Sequence, residues 1–257
     1  MRIKNKIIKY IEYERMITSI SVAASICNRE TFLPLKNICK GMEIAVCGAG
    51  PSLTYYQPID GVTHLALNRA LLCEKVKFDY FFANDWLGIN FFKDKIVEYD
   101  CKKYLGFQGG IDSIYEIPES FRIEAGAMKY YTDTYISPNQ ISSKLVVDID
   151  KRPISNTYNM GLQVMQVALY MNPSRIYLVG IDASSNGHFT KGGLSEKNED
   201  KYHDYLRKYI DIENVRDKWL ELKQFRDTFY PETEIVSVNP IGLKGLFTDY
   251  YQDNNRN

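Results

Sequence analysis

The sequence predicts an α/β fold with a mostly parallel, Rossmann-like sheet flanked by helices. Short apolar runs recur along the chain, helical periodicities separate the later ones, and the first run ends abruptly in glycines.

The strand candidates are Glu43 to Cys47, Thr63 to Leu67, Phe78 to Ala83, Lys103 to Gly106, Ile176 to Gly180 and Glu234 to Val238. Each is short and apolar, as strands covered on both faces are. Between Thr157 and Met171, the apolar positions Met160, Val164, Val167, Ala168 and Met171 recur at helical spacing and lead into the run at Ile176. From about Asp211 to Tyr230, Val215, Trp219, Leu222 and Phe225 do the same before Glu234. Helices placed between strands imply crossover units, hence a largely parallel sheet.

Residues 1–40 form an N-terminal helical segment, with Ile3, Ile7, Ile8, Ile11 and Met16 near helical spacing among Arg2, Lys4, Lys6 and Lys9. Packing on its own domain is the ordinary use of such a helix; a basic anchor on an anionic membrane face is the alternative. Residues 41–248 make up the α/β domain. Within it, about 109–152 is irregular and rich in tyrosine, serine and proline, which suits a small lid or insertion. The polar residues 249–257 are expected to be a flexible tail.

Composition narrows the classes. The chain has 257 residues, 45% hydrophobic, with 32 basic residues against 32 acidic ones, so it carries no global positive field for a nucleic-acid backbone. The five cysteines (Cys27, Cys39, Cys47, Cys73, Cys101) are odd in number and lack metal-ligand spacing; they are expected to be reduced thiols in a cytoplasmic protein. No apolar run approaches the roughly 18 residues of a membrane span. A peripheral contact at the inner membrane and an oligomeric state both stay open.

The motif that carries chemistry is Gly48-Ala49-Gly50-Pro51-Ser52, at the end of the first strand. Glycines permit a tight turn there, and free N–H groups in such a turn hold a phosphate. The dinucleotide fingerprint is incomplete, because Leu53 stands in the place of its third glycine and Asn68-Arg69 ends the second strand where an acidic residue would bind ribose. No G-x-x-x-x-G-K-[ST] loop is present. Asn68 and Asn84 each follow a strand and so share the carboxyl edge with the glycine turn; an amide there suits a base edge or a sugar hydroxyl. Asp85 and Trp86 add a charge and a stacking surface. Asparagines that merely cap turns are the plainer alternative.

Three blocks carry a family resemblance: Ile44 to Leu53; Asn68 with Asn84; and the helix glycine Gly161 with Ile176-Tyr177-Leu178-Val179-Gly180-Ile181-Asp182. The segment Asn239-Pro240 with Ile241 and Leu243 adds a fourth, shorter match. They resemble the bacterial lipo-oligosaccharide sialyltransferases and, more loosely, the motility-associated glycosyltransferases and the 6-hydroxymethylpterin diphosphokinases. The resemblance implies a glycosyltransferase-type nucleotide-binding fold, a cytidine monophosphate (CMP) sugar or other nucleotide-sugar donor, and no metal or resident cofactor. It also implies that Gly48, Gly50, Ser52, Asn68, Asn84 and Gly161 line the nucleotide. The chain departs from that pattern in having Ala49 for an asparagine and Asn159-Met160 for a Thr-Ser pair. It also has Ala183, Ser184 and Ser185 where the family places phosphate-holding tyrosines. The donor-site candidates are therefore Gly48, Ala49, Gly50, Pro51, Ser52, Asn68, Asn84, Asp85, Asn159, Gly161, Ser184 and Ser185.

Sugar transfer needs a base for the acceptor hydroxyl and donors for the departing phosphate. His188, in a loop leaving a strand's carboxyl end, ranks first as base and His203 second, while His64 inside a strand is expected to be a core residue. Asp182 is placed to orient a histidine or a sugar hydroxyl, or else to cap its turn. The expected activity is transfer of a sugar, sialic acid or a relative, to a surface glycan. One alternative is an ATP- and Mg-dependent pyrophosphoryl transferase, in which Asp148 and Asp150 would hold the metal. A non-catalytic nucleotide-binding protein is the other.

Overall fold

The computed structural model describes residues 15, 18–19, 21–107, 116–133, 144–155, 159–183 and 212–252. Among them run β1 (Glu43–Cys47), β2 (Thr63–Leu67), β3 (Tyr80–Ala83), β4 (Lys102–Phe107), β5 (Met128–Tyr131), β6 (Arg175–Val179), β7 (Glu234–Val238) and β8 (Thr248–Tyr250). They form one sheet in the order β5-β4-β3-β2-β1-β6-β7-β8, and every neighbouring pair is parallel. The helices are α1 (21–32), α2 (Trp86–Ile89), α3 (Lys93–Glu98), α4 (Glu119–Glu124), α5 (Met160–Tyr170) and α6 (Ile212–Phe229).

Strand alternation builds two cores, one on each face. Ile44, Val46, Leu65, Phe82, Ile176 and Leu178 pack with α5 and α6 through Met165, Leu169, Trp219 and Leu222. Their neighbours Ala45, Cys47, Ala66, Phe81, Tyr177 and Val179 pack on the other side with Leu53, Tyr56, Ile89, Ile96 and Phe121. A two-period pattern with apolar residues in both phases is what a doubly covered strand requires. None of the described helices is long and apolar enough to cross a membrane.

Two strands arise where the sequence shows no regular pattern. Within 109–152, the structure has α4 and the edge strand β5, so part of this stretch belongs to the sheet itself. At the end, Asp249 and Tyr250 belong to β8, paired with β7, and are not frayed tail. The run Leu145 to Asp150 forms no strand: residues 149–151 make a turn, with Lys151 N–H donating to Asp148 O at 2.8 Å.

The β5 edge is sealed by α1. Buried Asn28 accepts from Tyr131 N–H (2.7 Å) and donates to Tyr131 O (3.1 Å) and Arg152 O (2.8 Å). Thr31 and Cys27 both donate to Lys129 O. Side chains thus satisfy backbone groups that an open edge would offer to another strand.

Candidate functional site

Strand order reverses direction between β1 and β6, which makes their carboxyl ends the topological switch point of the sheet, where open α/β folds bind ligands. The glycine turn lies there. Gly48 N–H donates to Val179 O and Gly50 N–H to Gly180 O, both at 2.8 Å, so the two loops are stitched together. The approach excludes side chains: a Cβ on Gly48 would stand 2.6 Å from Gly180 O and from Ile181 Cδ1, and one on Gly50 would meet Gly180 O at 2.7 Å. Gly180 itself turns at φ +61°, with Gly48 O filling the space of any side chain.

Asp182 completes the joint. Its Oδ2 accepts from Ser52 N–H at 2.9 Å and its Oδ1 from the Ser52 hydroxyl. Asp182 O accepts in turn from Gly242 N–H, and Arg216 of α6 fastens that loop by donating to Gly242 O and Lys244 O. The carboxylate thus holds the β1 turn across the sheet edge and not the turn that follows Asp182, with both oxygens engaged by Ser52.

The expectation that the turn offers a set of free N–H groups is corrected by the same bonds. Gly48 and Gly50 spend their amides on the close-running end of β6, Ser52 on Asp182 and Leu53 on Gly50 O within the turn, and Pro51 has none. Among the described residues 48–53, Ala49 N–H alone has no partner.

The asparagines divide by role. Asn68, at φ +47°, leaves a buried Oδ1 without a hydrogen-bond partner, which suits a ligand donor. Asn84 is buried and donates to Gln163 Oε1 at 2.7 Å, linking the end of β3 to α5. Asn159 caps α5, its Oδ1 accepting from Gly161 N–H (2.9 Å) and Leu162 N–H (3.4 Å). Asp85 likewise caps α2, accepting from Leu87 N–H at 3.0 Å, and Trp86 packs on Phe121 with ring centres 5.0 Å apart. Gly161 faces Ile181, which also touches the Gly48 position, so α5, β1 and β6 converge on one spot.

His64 is a core residue, its Nε2 2.9 Å from the Tyr56 hydroxyl, and burial lowers its pKa below 6.5. Burial pushes the thiols of Cys27, Cys39, Cys47 and Cys101 up, opposite to an activated nucleophile. Asp148 pairs with Arg152 at 3.2 Å, while buried Asp150 helps raise the Tyr170 phenol, chiefly raised by burial, at the far end of α5 from Gly161. The two aspartates are thus about one helix length from the glycine turn, and no group of metal-ligating side chains occurs among the described residues. His188, His203, Ser184 and Ser185 lie outside the described residues, as does the Ile3 to Met16 segment apart from Arg15.

The structure gives a setting to residues that the sequence named without a role, and adds Gln163. Arg69 is buried beside Asn68, its guanidinium 4.8 Å from the Phe91 ring centre. Ala183, four residues past the end of β6, and Asn239, directly after β7, stand at φ +44° and +47°. Gln163 and Trp219 looked like ordinary positions of two core helices. The glycine that follows the Ile176 run was the one sequence signal of the Gly180 turn.

Fold and site together define an open, doubly wound α/β protein whose polar groups gather at the switch point. The structure is similar to that of the sialyltransferase CstII from Campylobacter jejuni in complex with CMP-3FNeuAc, at 14% identity and a TM-score of 0.48, covering 84% of this chain and 88% of that one. It is also similar to the monofunctional α-2,3-sialyltransferase Cst-I from Campylobacter jejuni, at 15% identity and a TM-score of 0.44, covering 77% and 75%. No family model matches the sequence, and no curated protein matches it.

Proposed function

We propose that this chain is a glycosyltransferase that moves a sugar, sialic acid or a relative, from a nucleotide donor to a surface glycan. The observation that carries the proposal is the meeting of Gly48–Ser52, Asn68 and the start of α5 at the switch point of a parallel sheet. The resemblance of the three sequence blocks names the donor class, a CMP-sugar. Asn68 Oδ1 is an acceptor for a base amine or a ribose hydroxyl, and the buried Arg69 adds positive charge at the same edge. His188, or else His203, takes the proton from the acceptor hydroxyl as it attacks the anomeric carbon, and the nucleotide leaves with its phosphate. Neither step uses Asp148 or Asp150, which stand at the other end of α5.

Calorimetric titration of the purified chain with CMP, uridine diphosphate, guanosine diphosphate and ATP tests this. Binding of CMP without added metal is expected. ATP binding that requires magnesium would indicate a pyrophosphoryl transferase, and the absence of any nucleotide binding would end the proposal. His188→Ala is expected to abolish transfer and keep CMP binding.

A further inference from the structure

Departing phosphate needs hydrogen-bond donors, and this site has few left. Gly48, Gly50 and Ser52 spend their amides on β6 and Asp182, and Asn159 occupies the Gly161 and Leu162 amides of α5. An unspent buried side-chain donor lies beside Gly161, as another, Asn239 Nδ2, does after β7. Trp219 of α6 is wholly buried, yet its Nε1–H has no hydrogen-bond partner. An indole N–H can only donate, so an orphaned one costs free energy until an acceptor arrives.

Its position says where that acceptor would be. Trp219 Cζ2, on the ring edge that also bears Nε1, comes 3.2 Å from where a Gly161 Cβ would stand, and the Phe247 ring meets the indole edge-on at 6.3 Å between centres. Gly161 also borders Ile181, beside the glycine turn. The absence of a side chain at Gly161 is what lets the indole edge reach the first turn of α5. A helix start favours an anion, and the buried N–H adds a directed bond to it.

We propose that Trp219 Nε1–H binds a phosphate oxygen of the nucleotide in this site, together with Ala49 N–H. The inference rests on the nucleotide-donor reading above and goes beyond it, giving this chain an indole donor for the leaving phosphate.

The test uses the full chain, wild type and Trp219→Phe, titrated with CMP, cytidine and inorganic phosphate. Calorimetry gives affinity, and the two indole N–H signals in a nitrogen-labelled NMR spectrum, assigned with Trp86→Phe, report the contact. In the wild type, CMP is expected to move the Trp219 signal and slow its exchange with solvent, inorganic phosphate to move it in the same direction, and cytidine to leave it in place. Trp219→Phe is expected to weaken CMP binding about tenfold, the scale of one bond to a charged group. The same variant is expected to lower the unfolding midpoint of the ligand-free protein, because the smaller ring leaves a cavity in the core, so its affinity is compared only under conditions where both proteins are folded. Equal CMP affinity in both proteins, or a Trp219 signal that responds to cytidine alone, overturns the inference and leaves the proposed function standing. Wild-type protein that binds no nucleotide overturns both. Should Trp219→Phe not fold, the wild-type NMR titration decides by itself.

Discussion

Ser52 gives both its backbone N–H and its hydroxyl to the carboxylate of Asp182, a residue 130 positions further along the chain. Replacing the carboxylate by an amide removes the charge and leaves one oxygen to accept two donors. Asp182→Asn is expected to cost about 1.5–3 kcal/mol, the range for hydrogen bonds to charged groups, measured by urea unfolding. Combined with Ser52→Ala, the loss should fall well short of the sum of the singles, because both substitutions break one joint. Additive losses would show that Asp182 acts elsewhere.

Gly48→Ala should be poorly tolerated despite the small change. The added methyl would meet Gly180 O at 2.6 Å, and that oxygen belongs to a backbone fixed between β6 and its turn. An overpacking cost of roughly 1–3 kcal/mol is expected, with nucleotide affinity falling alongside the unfolding midpoint. Unchanged stability would mean that the two loops stand further apart than described.

Asn28 imitates a strand residue with its side-chain amide, which accepts from Tyr131 N–H at Oδ1 and donates to Tyr131 O and Arg152 O from Nδ2. Asn28→Ala is expected to destabilise by about 1–3 kcal/mol. Asn28→Asp should fare no better, since a carboxylate faces two carbonyl oxygens. Light scattering should also show increased self-association, because the β5 edge loses its cover.

His64 makes a pH-dependent contribution whose sign follows from its lowered pKa. Burial disfavours the imidazolium in the folded state, and nearby Asp79 offsets this only in part. The stability from this site is complete above the ordinary value of 6.5 and is lost as pH falls below it toward the lowered folded value. Thermal unfolding between about pH 7.5 and 5.5 should therefore fall less steeply in His64→Gln than in the wild type. Parallel profiles would remove His64 as a source of the pH dependence.

Six of the eight strands were legible because burial on both faces writes a nearly continuous apolar run. Met128-Lys129-Tyr130-Tyr131 and Thr248-Asp249-Tyr250 were not, since edge strands bury less and carry polar residues in the pattern. The helices α5 and α6 showed through their apolar spacing. At the site, the glycine turn and the asparagines were visible as types and positions. Their bonding was not: whether Gly50 N–H is free depends on how closely Gly180 approaches, and whether Trp219 has a partner depends on side chains from two helices. Asp182 illustrates the limit, because its identity suited catalysis and capping of its own turn equally, and neither reading pointed to Ser52, 130 positions upstream.

The central strand β1 acquires its second neighbour late. Glu43 pairs in register with Arg175, 132 positions downstream, whereas β2 follows β1 in sequence, beginning at Thr63. During synthesis, β1 to β5 can assemble as they leave the ribosome while one flank of β1 stays bare. Long-range pairings of this kind form slowly, and a bare flank invites pairing between nascent chains. The crevice between β1 and β6 is therefore a late product of folding: an N-terminal fragment ending before Arg175 holds Gly48 to Ser52 without the wall that shapes them.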